Sequence, residues 1–251
     1  TNMKKMGLTF IYLWLISLCS CQKELIEYEK GDVKICIEQG EQWLHDFPLF
    51  LGINKKNPPQ IAIWLEDTQG NYLSTVYVTH KIATQSWQAS GGNRRKEALP
   101  HWCYSRGVKY DDGLYLPTKK EPLIDGISGA TPHESFNIKL NPATALKKFV
   151  VKIEINHSTD FNEAFPKSAK DGEANYSGGK EGSGQPAIVY AANVDLSSGE
   201  KSFEANLMGH SSPDGSSGEV NKDTSGLTTA LHIVKRITVI TVSYTHLRAH
   251  E

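Results

Sequence analysis

Seven consecutive residues, Asp125-Gly126-Ile127-Ser128-Gly129-Ala130-Thr131, form the segment of this chain with the clearest chemical content. Thr131 offers a hydroxyl nucleophile, and Gly129 and Ala130 before it leave room for the backbone to enter a modifying enzyme's cleft. Asp125 has the chemistry of a recognition or proton-handling group, and Ser128 completes the polar set. At average residue usage an Asp, a Ser or Thr, then Gly-Ala-Thr at these spacings arises by chance in roughly one chain in two thousand. Ser128-Gly129-Ala130-Thr131-Pro132 is also a good turn between two strands, so a backbone role stays open beside the chemical one. Exposure of the motif, with space for a bulky group, favours a modification site, and burial counts against one.

Other polar groups invite weaker readings. His157, Asp160 and Asn162 follow a strand-like run, and His210, Asp214, Glu219 and Asp223 share a Gly-rich stretch, so a metal site at the loop ends is conceivable. There is no His-x-x-x-His, however, and residues 214–223 miss the calcium-loop spacing with its central glycine. We therefore read these side chains as solvated loop residues and expect no metal. Trp64, Trp87 and Trp102 lie among strand-type apolar residues and read as core anchors. Gly-x-Ser-x-Gly, a phosphate loop and a zinc helix are all missing, which leaves hydrolase and kinase readings without residues and no side chain assigned as catalytic.

The two ends need separate treatment. Met3-Lys4-Lys5 is a short basic head and residues 8–18 an apolar run of signal-peptide length, too short for a membrane span. The run closes as Leu18-Cys19-Ser20-Cys21, which resembles the lipobox of bacterial lipoproteins. That resemblance implies a signal peptide over residues 3–20, cleavage before Cys21, and lipid on Cys21 as the link to a membrane. Residues 21–31 then become a tether, and the working part stands in the cell envelope, periplasmic or at the surface. Gln22-Lys23-Glu24 is charged enough to resemble surface-export signals, although Leu25 and Ile26 soon interrupt it. Residues 242–251 resemble a translated sequencing adapter, and Thr241 is compatible with the same origin. We accordingly expect residues 241–251 to lie outside the native domain, and His246 and His250 to belong to no site.

Residues 32–240 remain, enough for one domain with a sizeable core. The formal net charge of −1 and pI near 6.7 supply no basic field, so nucleic acid is not an expected partner. Cys36 and Cys103 are the cysteines left in an oxidising compartment, either paired or as free thiols. Val33, Ile35 and Ile37 alternate with polar neighbours, a half-buried strand by its period of two. Residues 60–67 and 71–79 read as a hairpin turned at Gln69-Gly70, and Pro58-Pro59 fixes its entry. Strands are also expected over residues 135–140, 148–155, 187–192, 200–207 and 231–239. Residues 86–103 hint at a helix with Trp87, Leu99 and Trp102 as anchors. Gly-rich loops cover residues 168–186 and 209–226. The expected fold is all-β, an antiparallel β-sandwich of immunoglobulin or fibronectin type.

Residues 125–131 resemble the covalent flavin-attachment motif of extracytoplasmic flavoproteins: Asp, two variable residues, Ser or Thr, then Gly-Ala-Thr. The resemblance implies that a flavin transferase esterifies Thr131 with the phosphate of FMN, with Asp125, Ser128, Gly129 and Ala130 as the recognition set. Two features depart from that pattern. His133 stands where a Ser or Thr is usual, and Pro132 followed by a strand replaces the usual helix.

Over residues 33–239 the chain is similar to the periplasmic family catalogued as domain of unknown function 2271. The matching pieces include Ile61-Ala62-Ile63-Trp64-Leu65-Glu66-Asp67, Leu99-Pro100-His101-Trp102, residues 125–131, and Gly184-Gln185-Pro186-Ala187-Ile188-Val189-Tyr190. This resemblance implies an extracytoplasmic domain near flavin transferases and membrane redox proteins, and no known reaction. Two expectations follow. One is an electron carrier with FMN on Thr131, the protein supplying position and polarity. The other is a non-catalytic sandwich module that binds a protein or glycan and in which residues 125–131 are only a turn.

Overall fold

The computed structural model describes residues 32–48, 53–87, 94–123, 126–142 and 145–241. An all-β sandwich is what these residues build. Strand β1 (Val33–Gln39) lies centrally in a four-stranded sheet, flanked by β7 (Phe136–Leu140) on one side and β13 (Val234–Thr241) on the other. A short β10 (Ser202–Glu204) adds to the outer edge of β13. The facing sheet has seven strands, in the order β12 (Val220–Asn221), β11 (Asn206–Ser211), β9 (Ile188–Asp195), β8 (Lys148–Asn156), β4 (Gln60–Glu66), β5 (Tyr72–Thr79) and β6 (Ile127–Gly129). A separate ribbon pairs β2 (His45–Pro48) with β3 (Asn54–Asn57). All pairings are antiparallel except that of β5 with β6. With four and seven strands the sandwich is larger than the smallest immunoglobulin arrangement, which has seven in all.

The period of two is visible where one face meets the core. β1 buries Val33, Ile35 and Ile37 against Ile61, Ile63, Val151, Ile153 and Ile155 of the other sheet, and turns Lys34 and Cys36 outward. β4 behaves differently, because all seven of its residues are buried. Ile61, Ile63 and Leu65 face the sandwich, while Ala62 and Trp64 face a second apolar cluster on the outside of the seven-stranded sheet. That outer layer contains helices α1 (His80–Thr84) and α2 (Pro100–Arg106), with Ile82, Leu99, Trp102 and Cys103 buried against the sheet. A strand covered on both faces reads as a continuous apolar run, as this one does.

Four expectations are corrected. The helix expected over residues 86–103 begins only at Pro100, whose ring is suited to a first helical turn and keeps Leu99 out of the helical conformation. Residues 200–207 are two strands, since the chain crosses between sheets at Ala205, whose N–H donates to the Ile237 carbonyl at 3.0 Å. Residues 231–233 belong to a 3-10 turn and its end, so the last strand starts at Val234. The second Gly-rich stretch begins inside β11, where a Cβ on Gly209 would stand 2.0 Å from the Asn221 carbonyl oxygen. At the end of β13, Thr241 pairs with Val33.

Among the described residues Cys36 and Cys103 are free thiols. Cys36 lies on the outer face of the four-stranded sheet and Cys103 in the layer outside the other, so the thickness of the sandwich separates them. Cys21, the expected signal peptide over residues 3–20 and residues 242–251 lie outside the described residues. No helix among the described residues is long and apolar enough to cross a membrane.

Candidate ligand site at Thr131

The residues of the motif form an edge strand and its exit, where a simple turn was the backbone alternative. Ile127, Ser128 and Gly129 pair in parallel with Tyr77, Val78 and Thr79. The Tyr77 hydroxyl donates to the Gly129 carbonyl at 3.1 Å, and the Trp43 indole N–H donates to the Pro132 carbonyl at 3.0 Å. Gly126 is required at its position by close approach, because a Cβ there would meet Thr75 Cγ2 at 2.7 Å. Pinned from both sides, the segment delivers Thr131 next to Thr79, and their hydroxyls are hydrogen-bonded at 2.8 Å. Thr79 Oγ1 also accepts the backbone N–H of Ile61 at 2.8 Å, which ties the site to the first residues of β4.

Exposure divides the motif. Ser128 and Ala130 are exposed, Ile127 and Gly129 half-buried, and Thr131 only 5% exposed. Asp125 lies outside the described residues. By the criterion of accessibility Thr131 is therefore unfavourably placed for a modifying enzyme, while the residues around it are open.

Thr131 nevertheless walls a cavity of about 450 Å³. The β2–β3 ribbon, Pro58 and Pro59, the start of β4, the first turn of α1, Trp87 and the exit of β8 close around it. Four histidines line it, His45, His80, His133 and His157, each from a different part of the chain. His157 is held neutral, its pKa pulled down to about 3 mainly by burial, although the Gln42 carbonyl accepts its Nε2–H at 2.8 Å. The His45 ring lies 5.1 Å from that of His157.

Three cations, Lys55, Lys81 and Arg95, also line the cavity, against one carboxylate, Glu181. Arg95 is 5% exposed and fully engaged. Its Nε donates to Glu97 at 2.8 Å, and its terminal nitrogens donate to the Ser158 and Ser183 hydroxyls at 2.6 and 3.1 Å. Its guanidinium lies 4.5 Å from the centre of the Trp87 ring. Gln85 fastens both residues, accepting the Trp87 indole N–H at 3.0 Å and the Arg95 backbone N–H at 3.1 Å. Lys81 is 6.0 Å from the same ring, and burial, then the charges of Lys55 and Arg95, hold its ammonium below the usual pKa. Trp87 thus walls the cavity and carries cations; it is half-buried, unlike the fully buried Trp64 and Trp102.

A second polar constellation lies under α2 and was not anticipated. Glu154, fully buried on β8, accepts the backbone N–H groups of His101 and Trp102 at 3.1 and 2.7 Å, and the Ser211 hydroxyl. It caps the first turn of a helix whose own N-cap side chain makes no bond. Burial pushes its pKa up to about 7 against the pull of these donors. Lys152 Nζ lies 3.0 Å from His101 Nε2, and the Gly218 carbonyl is 2.7 Å from Nδ1. Burial and the Lys152 charge bring His101 down to about 4, so the ring is a neutral acceptor for the lysine. These groups brace the outer layer.

The remaining acidic candidates do not converge. Asp160 binds the Thr229 hydroxyl through both carboxylate oxygens, at 2.7 and 2.8 Å, and Asn162 serves the Gly226 carbonyl. His210, Asp214, Glu219 and Asp223 line one open polar depression. Among the described residues no three His, Cys, Asp or Glu side chains are placed to hold a metal ion. No protein-family model, curated protein or solved structure matches the chain.

Proposed function

We propose that this chain is a lipid-anchored protein of the cell envelope that carries FMN at Thr131 and passes electrons between a membrane redox partner and an outside acceptor. In this reading it acts as a carrier: the flavin supplies the redox chemistry, and the chain positions it and sets its polarity. One observation carries the reading. Thr131, the final residue of a seven-residue motif, walls a cavity of about 450 Å³ beside Trp87 and two cations, within the size range of small-ligand sites. Cys21 supplies the anchor, and a flavin transferase is the partner required for loading.

Loading has a structural requirement. Because Thr131 is 5% exposed and its hydroxyl is bonded to that of Thr79, the exit of β6 must open before the ester forms. The same bond favours a second reading, a sandwich module that binds a protein or glycan without a covalent cofactor. Coexpression of the mature chain with a flavin transferase separates the two by mass. The first predicts a gain of one FMN that disappears in Thr131→Ala, which would rule out the second; an unmodified chain under those conditions rules out the first.

A further inference from the structure

The cavity contains recognition chemistry that an ester at Thr131 does not use. Gln60 is 9% exposed and lines the cavity, yet its Oε1 has no hydrogen-bond partner among the described residues. A buried acceptor without a donor is destabilising. A donor on a ligand that reaches the Gln60 carboxamide removes that cost. Lys55 and Lys81 face the same space with no ion-pair partner among the described residues, whereas Arg95 is committed to Glu97. Phe47, Pro58, Pro59 and Trp87 supply flat apolar wall between these polar points.

From this we infer that the cavity is a preformed, non-covalent site for an aromatic phosphomonoester, its phosphate held between Lys55 and Lys81 and a ring N–H donated to Gln60. Two ammonium groups without an ion-pair partner among the described residues, against the single lining carboxylate of Glu181, favour an anion with more than one charge. A phosphomonoester carries roughly −1.5 to −2 near neutral pH, and a carboxylate only one. The apolar walls fit a planar body, and the Gln60 acceptor selects one that carries a donor on its edge. This site shares its cavity with the proposed FMN carrier and requires no ester at Thr131.

The test uses mature chain made without a flavin transferase, so the ester cannot contribute. Affinities are measured at low salt for FMN against riboflavin, and for phenyl phosphate against phenol, two pairs that each differ by one phosphate. The inference predicts about tenfold or greater preference for the phosphorylated member, weakened by added salt. It also predicts that Lys55→Ala/Lys81→Ala reduces the ratio to near one in both pairs. Both lysines are exposed, so the double variant keeps its fold. Gln60→Leu is expected to weaken riboflavin several-fold and phenyl phosphate, which has no donor on its ring, not at all. Equal affinities within both pairs, a preference that survives the double variant, or no binding of any probe overturns the inference. Since Thr131→Ala leaves Lys55, Lys81 and Gln60 in place, phosphate preference in that variant distinguishes failure of the ester from failure of the site.

Discussion

Replacing Glu154 tests whether the outer layer is held as described. Its carboxylate is fully buried and accepts two backbone N–H groups of α2 and the Ser211 hydroxyl. Glu154→Gln keeps the shape but turns one acceptor oxygen into a donor, so at least one buried N–H or O–H loses its partner, costing about 1–3 kcal/mol. The pH dependence is more diagnostic. Burial raises the folded pKa from 4.5 to about 7, so between those values the folded chain holds a proton that the unfolded chain has released. The stabilisation from this proton is complete below pH 4.5 and is lost as pH rises through 7. At about 1.4 kcal/mol per pH unit, the wild-type advantage over Glu154→Gln should widen by about 3 kcal/mol as pH is lowered from 8 to 4. Urea unfolding of the mature domain at several pH values measures it directly. A difference that stays constant across this range, or shrinks on acidification, refutes the burial argument.

Further outcomes follow from the same geometry. Arg95→Met leaves the Glu97 carboxylate, itself 4% exposed, without its partner, and should lower stability by about 3–5 kcal/mol in denaturant titrations. Gly126→Ala drives a Cβ against Thr75 and should cost about 1–3 kcal/mol, read as a fall in melting temperature. His157 has a folded pKa lowered from 6.5 to about 3, so its contribution is full above pH 6.5 and is lost as pH falls towards 3. His157→Asn should therefore flatten the acid limb of the stability curve by about 1.4 kcal/mol per pH unit below 6.5, and an unchanged acid limb counts against a neutral buried ring.

Much of the sandwich is readable from local pattern. β1 and β7 each show one buried face, and the β4–β5 hairpin is announced by Gly70, whose φ of 88° suits the turn, and by Asp67, which accepts N–H groups from Gln69 and Asn71. β6 was missed because three residues have no period, and its state depends on parallel pairing with β5, a partner about fifty positions earlier. Glu154 was hidden for the opposite reason. It sits on the charged side of an alternating strand, with Lys148 and Lys152, and such a face reads as solvated unless a third layer covers it. In the cavity, Gln60, Lys81, Thr131 and His157 meet from segments no local pattern connects, so sequence singled out Thr131 and left its surroundings unread. Trp87 packs against the outer apolar cluster, as its apolar neighbours suggest, and its ring also borders the cavity and carries Arg95.

The central claim concerns one hydroxyl. Trypsin releases Thr131 within the peptide 121–139, which is bounded by Lys120 and Lys139. With chain matured in cells that supply a flavin transferase, this peptide should appear with the added mass of one FMN, fluoresce as a flavin, and lose both signals in Thr131→Ala. Recovery of peptide 121–139 wholly unmodified from such cells, beside a known flavoprotein loaded in the same culture, contradicts the account.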